Sequence, residues 1–427
     1  MARKMKDSGI EWIGEIPEGW EIVPVRSCFD EVRTKNTDGQ EQNALQFKSG
    51  NIISKTNFNA SMDDYVADTI TNYTVVLPDT VMINGLNLNY DFKSLRVALV
   101  KEKGVITSAY LAIFPDRKKI SPQYATYLFK GYETKMAFHN MGAGIRKTLG
   151  YKEFKNQPLL LPSEKEQNKI SAYLDSKCSH IDIMLSKIRS SIEEYKKLKQ
   201  AVITQAVTKG VRGEREMKDS GVEWVGEIPK EWVCEKIKYA TSISRGLFNH
   251  RPRNDERYYN GKYPFIQTGD VANATKYIVS YSQTLNELGK SVSKEFPKGT
   301  LTMTIAANVG DVAILNFDAY FPDSVVGFIP NKNIRTLYLF YVFSAMKDEF
   351  TRTAIKSTQL NLNIDRVKET FIPVTLNVNE QCEIENYLES KCAEIDGLIA
   401  KKEHLVKELE SYKKSLIYEV VTGKREV

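Results

Sequence analysis

The chain repeats itself, and no other feature constrains its fold as tightly. The segment MKDSGIEWIGEIPEGW at residues 5–20 returns as MKDSGVEWVGEIPKEW at 217–232, an offset of 212. Of its 16 positions 12 are identical, and two of the changes are Ile to Val. A second pair follows without a gap: residues 166–208 align with 380–422 at an offset of 214. Glu166/Glu380, Gln167/Gln381, Ile170/Ile384, Tyr173/Tyr387, Leu174/Leu388, Cys178/Cys392 and Ile181/Ile395 are identical. The plan is a lead-in, a divergent block and a repeated helix, built twice in 427 residues. A chain of that length holds two or three domains.

The blocks between the repeats, near 25–155 and 235–370, share little beyond pattern. FKSGNI (47–52) is similar to IQTGDV (266–271), each a strand running into a Gly turn. Short runs such as VALV, GVITSAYLAIF, GTLTMTIA and VAILNF are strand-like and are punctuated by Gly, Asn-Gly and Pro-Asp turns. Each block ends in an aromatic helical segment, 123–138 and 336–350. The pattern predicts two α+β globular domains, one architecture suited to reading two different things.

The repeated helices differ in kind. Leu174, Cys178, Ile181, Leu185, Ile188, Ile192, Tyr195, Lys199, Val202 and Ala206 recur in steps of three and four. In the second copy the series is Leu388, Cys392, Ile395, Ile399, Lys402, Val406, Leu409, Lys413, Leu416 and Val420. A seam held over more than four heptads predicts a coiled coil. The alternative is a long amphipathic helix packed on its own domain. Residues 164–212 hold 10 basic and 6 acidic side chains, whereas 380–427 hold 8 and 11. Opposite net charges favour pairing, and chain order predicts an antiparallel pair that returns the C-terminus beside the first domain. About 38 residues at roughly 1.5 Å each would make a rod of nearly 57 Å, a spacer between two readers.

Catalytic signatures are missing. The chain has no Asn/Asp-Pro-Pro-aromatic methyltransferase motif, and Gly142-Ala143-Gly144 lacks the strand and acidic residue of a dinucleotide site. Thr284 stands where a phosphate loop ending at Gly289-Lys290-Ser291 needs its first Gly. Pro115-Asp116 with Glu133-Thr134-Lys135 is nuclease-like in text, but Glu133 and Lys135 fall in a helical stretch rather than on a strand that could share a metal. The four histidines are scattered, and five cysteines without a CxxC pair argue for reduced thiols and against a zinc site. The N-terminus has no apolar core for a secretory signal, and the longest apolar stretch is too short to span a bilayer. A non-catalytic chain in a cytoplasm, without a membrane, is the expectation.

Net charge is +6 with a pI near 8.7, so binding to a polyanion must come from clustering. The densest cluster is RGLFNHRPRNDERYYNGK, holding Arg245, Asn249, Arg251, Arg253 and Arg257, against which a plain solvated loop weighs evenly. Arg and Asn are the side chains that make bidentate contacts to guanine and adenine edges. A second candidate, TRTAIKSTQLNLN, holds Arg352, Lys356, Gln359 and Asn361. Its counterpart in the first block, GAGIRKTLG, holds Arg146, Lys147 and Thr148 at the same distance before the helix. A third group, Asn84, Asn87, Asn89, Lys93 and Arg96, follows an Asn-Gly turn and has turn chemistry as its alternative.

These repeats carry a resemblance. KDSGIEWIGEIPEGW and KDSGVEWVGEIPKEW resemble the start of each target-recognition domain in specificity subunits of type I restriction–modification systems. LLLPSEKEQNKISAYLDSKCSHID and FIPVTLNVNEQCEIENYLESKCAEID resemble that family's passage from domain into conserved helix, and GDVAILNFDAYFPDSVVGFIP resembles its Gly-containing strand pair. At 81–92 the first block departs from that strand pair. The resemblance implies target-recognition domains at 1–160 and 213–374. Between and after them come long conserved helices at 161–212 and 375–427, forming an antiparallel coiled coil with a pseudo-twofold repeat. It implies a prokaryotic, non-catalytic reader of double-stranded DNA, each domain taking one half of a split asymmetric site. Two adenine-N6 methyltransferase subunits and restriction/translocase subunits would be its partners, with S-adenosylmethionine, ATP and Mg on them. Trp12/Trp20 and Trp224/Trp232 would pack against helix ends or serve as core tryptophans. A coiled-coil adaptor without DNA binding is the rival reading.

Overall fold

The computed structural model describes residues 3–55, 70–92, 95–142, 144, 147–353, 355–356 and 360–427. It divides into two compact units, one of residues 1–189 with 403–427 and one of 190–402. The division falls inside both long helices, Glu164–Lys209 and Val378–Val421. Among the described residues no helix is long and apolar enough to cross a membrane.

In the first unit a hairpin, Met5–Asp7 with Glu15–Pro17, leads in. Glu21–Pro24 then pairs with Pro158–Leu161, so the block's first and last strands close on each other. Inside lies an antiparallel sheet in the order Phe29–Glu31, Leu111–Pro115, Val81–Ile83, Val97–Leu99. Its register sets Leu111 opposite Ile83 and Val81 opposite Leu99. Val81, Met82 and Ile83 are all buried, which is why this strand reads as an unbroken apolar run.

The second unit uses the same order. Met217–Asp219 pairs with Glu227–Pro229, and Val233–Lys236 with Phe371–Val374. The inner sheet runs Thr241–Arg245, Val325–Pro330, Leu301–Thr304, Val312–Leu315, with Tyr277–Ile278 added in parallel. Val81–Ile83, which opens the text at 81–92, stands where Leu301–Thr304 does, and the places of the Gly strand pair are taken by Val97–Leu99 and Leu111–Pro115. Packing accepts any apolar triplet there, so topology survives where sequence similarity does not.

Each block ends in an aromatic helix. Pro122–Thr134 starts with Pro at its first turn and Ser121 as the cap, its hydroxyl accepting from the Tyr124 amide. The segment expected to run to 138 breaks at Met136, which adopts φ 53°, and continues as a short 3-10 turn at Ala137–Asn140. Its counterpart also splits, into Thr336–Ala345 and Lys347–Thr353.

Both long helices bury the seam read from the heptads, and within each unit they run antiparallel. In the first unit Asp182 pairs with Lys413 at 2.6 Å and Arg189 with Glu410 at 2.5 Å. In the second Lys199 pairs with Asp396 at 2.6 Å and Arg212 with Glu383 at 2.7 Å. Lys413 and Asp396 stand 214 residues after Lys199 and Asp182, so one contact occurs once in each unit with its partners exchanged between copies. The helices also join the domain cores, as the alternative reading had it. Ile170, Leu174, Cys178, Ile181 and Leu185 belong to the first core, together with Leu416, Ile417, Val420 and Val421 of the second helix. Ile203, Ala206 and Val207 belong to the other. The C-terminal helix thus returns to the N-terminal lead-in, where the Tyr418 hydroxyl donates to the Trp12 carbonyl at 2.6 Å.

Candidate nucleic-acid interface

A reading surface needs loops that vary on a frame that does not. The frame is built from the repeated residues. The Trp20 indole donates to Glu166 at 3.0 Å, and Arg3 pairs with that carboxylate at 2.5 Å while lying over the indole ring. Trp232, Glu380 and Arg215 repeat the arrangement at 3.1 and 2.6 Å. Gln167 accepts from the Ser121 amide at 2.8 Å and donates to the Lys119 and Pro162 carbonyls. Gln381 does the same with Arg335, Asn333 and Thr375. The Glu-Gln pair at each helix start therefore clamps the lead-in tryptophan with one side chain and the head of the aromatic helix with the other. Tyr127 to Asp175 and Tyr341 to Glu389 complete the match. Trp20 and Trp232 are both core residues and helix-end contacts.

On this frame the equivalent strands Val81–Ile83 and Leu301–Thr304 each run into a loop docked against the residues ahead of the long helix. In the first unit the Leu149 amide donates to the Gly85 carbonyl at 2.9 Å, and the Leu88 amide to the Lys147 carbonyl at 3.2 Å. A Cβ on Gly85 would meet the Leu149 carbonyl oxygen at 2.5 Å, so only glycine permits the approach. In the second unit the Leu362 amide donates to the Ile305 carbonyl at 2.8 Å, and the Ile305 amide to the Ser324 carbonyl at 2.9 Å. Asn87 and Ala307, two residues past the docking carbonyls, both take positive φ, 52° and 64°.

Candidates that lie far apart in sequence come together there. In the first unit Asn87, Lys147 and Thr148 are exposed on two docked loops. Lys93 and Arg146 lie outside the described residues. Arg96 is not a surface residue. It is 1% exposed, and its guanidinium donates to the carbonyls of Asn84, Leu86 and Asp91 at 2.9, 2.8 and 2.6 Å. It ties residues 84–91 into shape from inside, while Tyr90 and Phe92 are exposed at 71% and 56%. The Arg96 amide also donates to Glu133, whose carboxyl burial pushes up to about 7. Glu133 lies on the aromatic helix, and Lys135 caps its end.

In the second unit Arg245, Asn249, Arg251, Arg253 and Arg257 are exposed. Arg245 donates to the Asp323 carbonyl at 2.5 Å, and Arg251 and Arg253 pair with the Asp323 carboxylate. Arg257 pairs with Asp255, whose carboxyl it holds well below the usual range with help from His250. The Asn249 amide donates to the Val292 carbonyl at 3.1 Å. Arg352 is exposed and pairs with Glu349 one helical turn back. Lys356 and Asn361 sit in the short hairpin Ile355–Lys356 with Leu360–Asn361. Gln359 lies outside the described residues. Two candidate groups of this unit are thus joined through Ile305, whose amide meets the Asp323 loop and whose carbonyl meets the end of the hairpin. Asp323 itself carried no signal beyond a Pro-Asp turn. Among the described residues no group of three or more His, Cys, Asp or Glu could hold a metal.

Residues 243–407 match the model of the type I restriction modification DNA specificity domain. Over 426 residues the chain is 24% identical to a putative type I restriction enzyme MjaX specificity subunit of Methanocaldococcus jannaschii, covering 96% of this chain and 95% of that protein. The MjaVIII specificity subunit of the same organism is also 24% identical, over 96% and 93%. A chain solved in work on complex assembly and conformational transition of the type I R-M system superimposes with a TM-score of 0.72 at 15% identity, over 96% and 99%. The HsdS subunit from Thermoanaerobacter tengcongensis gives 0.50 at 14%, over 96% and 98%.

Proposed function

We propose that the chain is a specificity subunit of a type I restriction–modification system and its non-catalytic DNA reader, each globular domain taking one half of a split, asymmetric site. One observation carries the reading. Two copies of one buried frame, matched down to the Trp–Glu–Arg contact, present loops that match in anchorage and differ in length and chemistry. A frame kept while loops diverge is what separate half-sites require, whereas a plain adaptor has no use for unlike ends. Arg, Lys and Asn on those loops suit phosphate and base-edge contacts. The long helices would set the unread gap and carry two adenine-N6 methyltransferase subunits, with restriction/translocase subunits joining them. S-adenosylmethionine, ATP and Mg belong to those partners in this reading, and the assembly is cytoplasmic.

Methylome sequencing of cells expressing this chain with its neighbouring methyltransferase subunit tests it. The expected result is a split motif with one N6-methyladenine in each half, each half changing when the corresponding domain is exchanged. A soluble assembled complex that marks no motif would sink the reading and favour the adaptor. Arg251→Ala and Arg146→Ala should each weaken specific binding by roughly 1–3 kcal/mol; unchanged affinity in both removes those loops from the interface.

A further inference from the structure

Three arginines of the second domain, Arg245, Arg251 and Arg253, converge on one acidic residue that the sequence does not mark. Arg253 and Arg251 reach the Asp323 carboxylate, the latter at 3.5 Å, and Arg245 reaches its carbonyl at 2.5 Å. Arg251 is further oriented by donating to the Phe248 and His250 carbonyls at 2.6 and 2.8 Å. The fold enforces this meeting. A Cβ on Gly246 would meet the Pro322 carbonyl oxygen at 2.2 Å, so the chain beyond Arg245 is pressed onto the backbone that carries Asp323. The Gly246 amide donates to the Val325 carbonyl at 2.9 Å, fixing that register.

The side chains themselves stay in solvent: Arg251 is 54%, Arg253 47% and Asp323 35% exposed. Ion pairs this exposed add little to stability. Two guanidinium groups share one carboxylate, a third lies on its backbone carbonyl, and Lys294 reaches Ser244 next to them. Asp255 does not balance the excess, since Arg257 and His250 occupy it. Positive charge therefore remains even with Asp323 in place, and a phosphate offers the same forked acceptor geometry as a carboxylate.

We propose that Asp323 is a positioning residue, a stand-in that holds Arg251 and Arg253 in phosphate-binding geometry and is exchanged for a DNA backbone phosphate when the second domain binds. The inference rests on the DNA-reading proposal above. In the exchange the arginines move from one anion to another, and Asp323, now beside a phosphate, penalises any duplex that cannot supply enough further contacts. Asp323 thereby acts on discrimination rather than on raw affinity. At the corresponding place in the first domain, after its equivalent strand, Arg33 pairs with Glu31 two residues away.

The test measures binding of the full chain to a duplex of arbitrary sequence and to one bearing its methylated motif, across a range of salt. Asp323→Asn should tighten binding to the arbitrary duplex several-fold, narrow its preference for the motif, and leave binding to that duplex at least as steep in salt as wild type. Arg253→Ala should do the opposite to the salt dependence, making the slope of log affinity against log salt shallower by about 0.9, one phosphate contact. Asp323→Glu should behave as wild type. Asp323→Asn with unchanged affinity and preference overturns the proposal, whatever it does to thermal stability. Should Asp323→Asn fail to fold, an Arg253→Ala slope equal to wild type overturns it alone. A wild-type chain that binds neither duplex in a salt-dependent way removes the DNA-reading proposal instead.

Discussion

The two units answer the same folding problem with the same buried contacts and then part at their rims. In both, an indole meets the Glu at a helix start, a Gln caps the aromatic helix, and that helix is tied down again by tyrosine hydroxyls. At the rims the first unit has a long loop latched from within by Arg96, with aromatic rings outward. The second has a short loop beside arginines gathered on Asp323. Buried polar groups must be satisfied and tolerate little change, while exposed loops have no such constraint. The difference teaches where identity resides in such a chain: the frame is common property, and the rim is particular.

Even the frame is not quite equal in its two copies, and that inequality can be measured. The Glu380 side chain is 1% exposed and Glu166 24%. Glu380→Ala should cost about 3–5 kcal/mol, since it strands Arg215 and the Trp232 indole. Glu166→Ala should cost about 1–2 kcal/mol; equal losses in denaturant unfolding would erase the distinction. Arg96→Ala should cost about 3 kcal/mol in the first unit alone. Amide exchange at Leu88 and Leu149 should accelerate with it, and unaltered exchange there would mean that the loop holds its shape without the latch.

The next prediction concerns pH. Burial raises the Glu133 carboxyl to about 7, above its unfolded value. The stability this group allows is complete below the unfolded value and is lost as pH rises through about 7. Wild type should therefore lose about 1–2 kcal/mol between pH 5 and 8 relative to Glu133→Gln. The second unit has Lys347 at the position 214 residues on, paired with Asp311 at 2.6 Å, and should lack this dependence. Parallel pH profiles for wild type and variant would refute the assignment. The smallest effect belongs to the helix pairs. Double-mutant cycles on Lys199–Asp396 and Lys413–Asp182 should each return below about 1 kcal/mol, and similar values. Unequal couplings would show that the match of these contacts is geometric only.

Much of the frame was legible because it is written twice. The offsets of 212 and 214 pointed to two domains and two paired helices, and the steps of three and four named the seam. The aromatic segments were visible as helices, but their breaks at Met136 and Met346 were not, since neither residue is a helix breaker by type. The strand at 81–83 was obscured because only its apolar character is needed where all three side chains are buried. Arg96 was misplaced among surface candidates, because sequence shows a guanidinium but not the three carbonyls that draw it inward. Asp323 was invisible: its role comes from Arg251 and Arg253, some seventy residues away.

The amino-acid sequence by itself determined the doubled plan, the antiparallel sense of the helices and the list of cationic side chains fit for nucleic acid. These follow from periodicity, repetition and charge, which are properties of the chain in order. Tertiary structure alone decided which of those cations face solvent, which carboxylates hold them, and which loops share a rim. Those are properties of residues distant in sequence and adjacent in space. Close packing and the need to satisfy every buried polar group select them, and neither can be evaluated until the chain has folded.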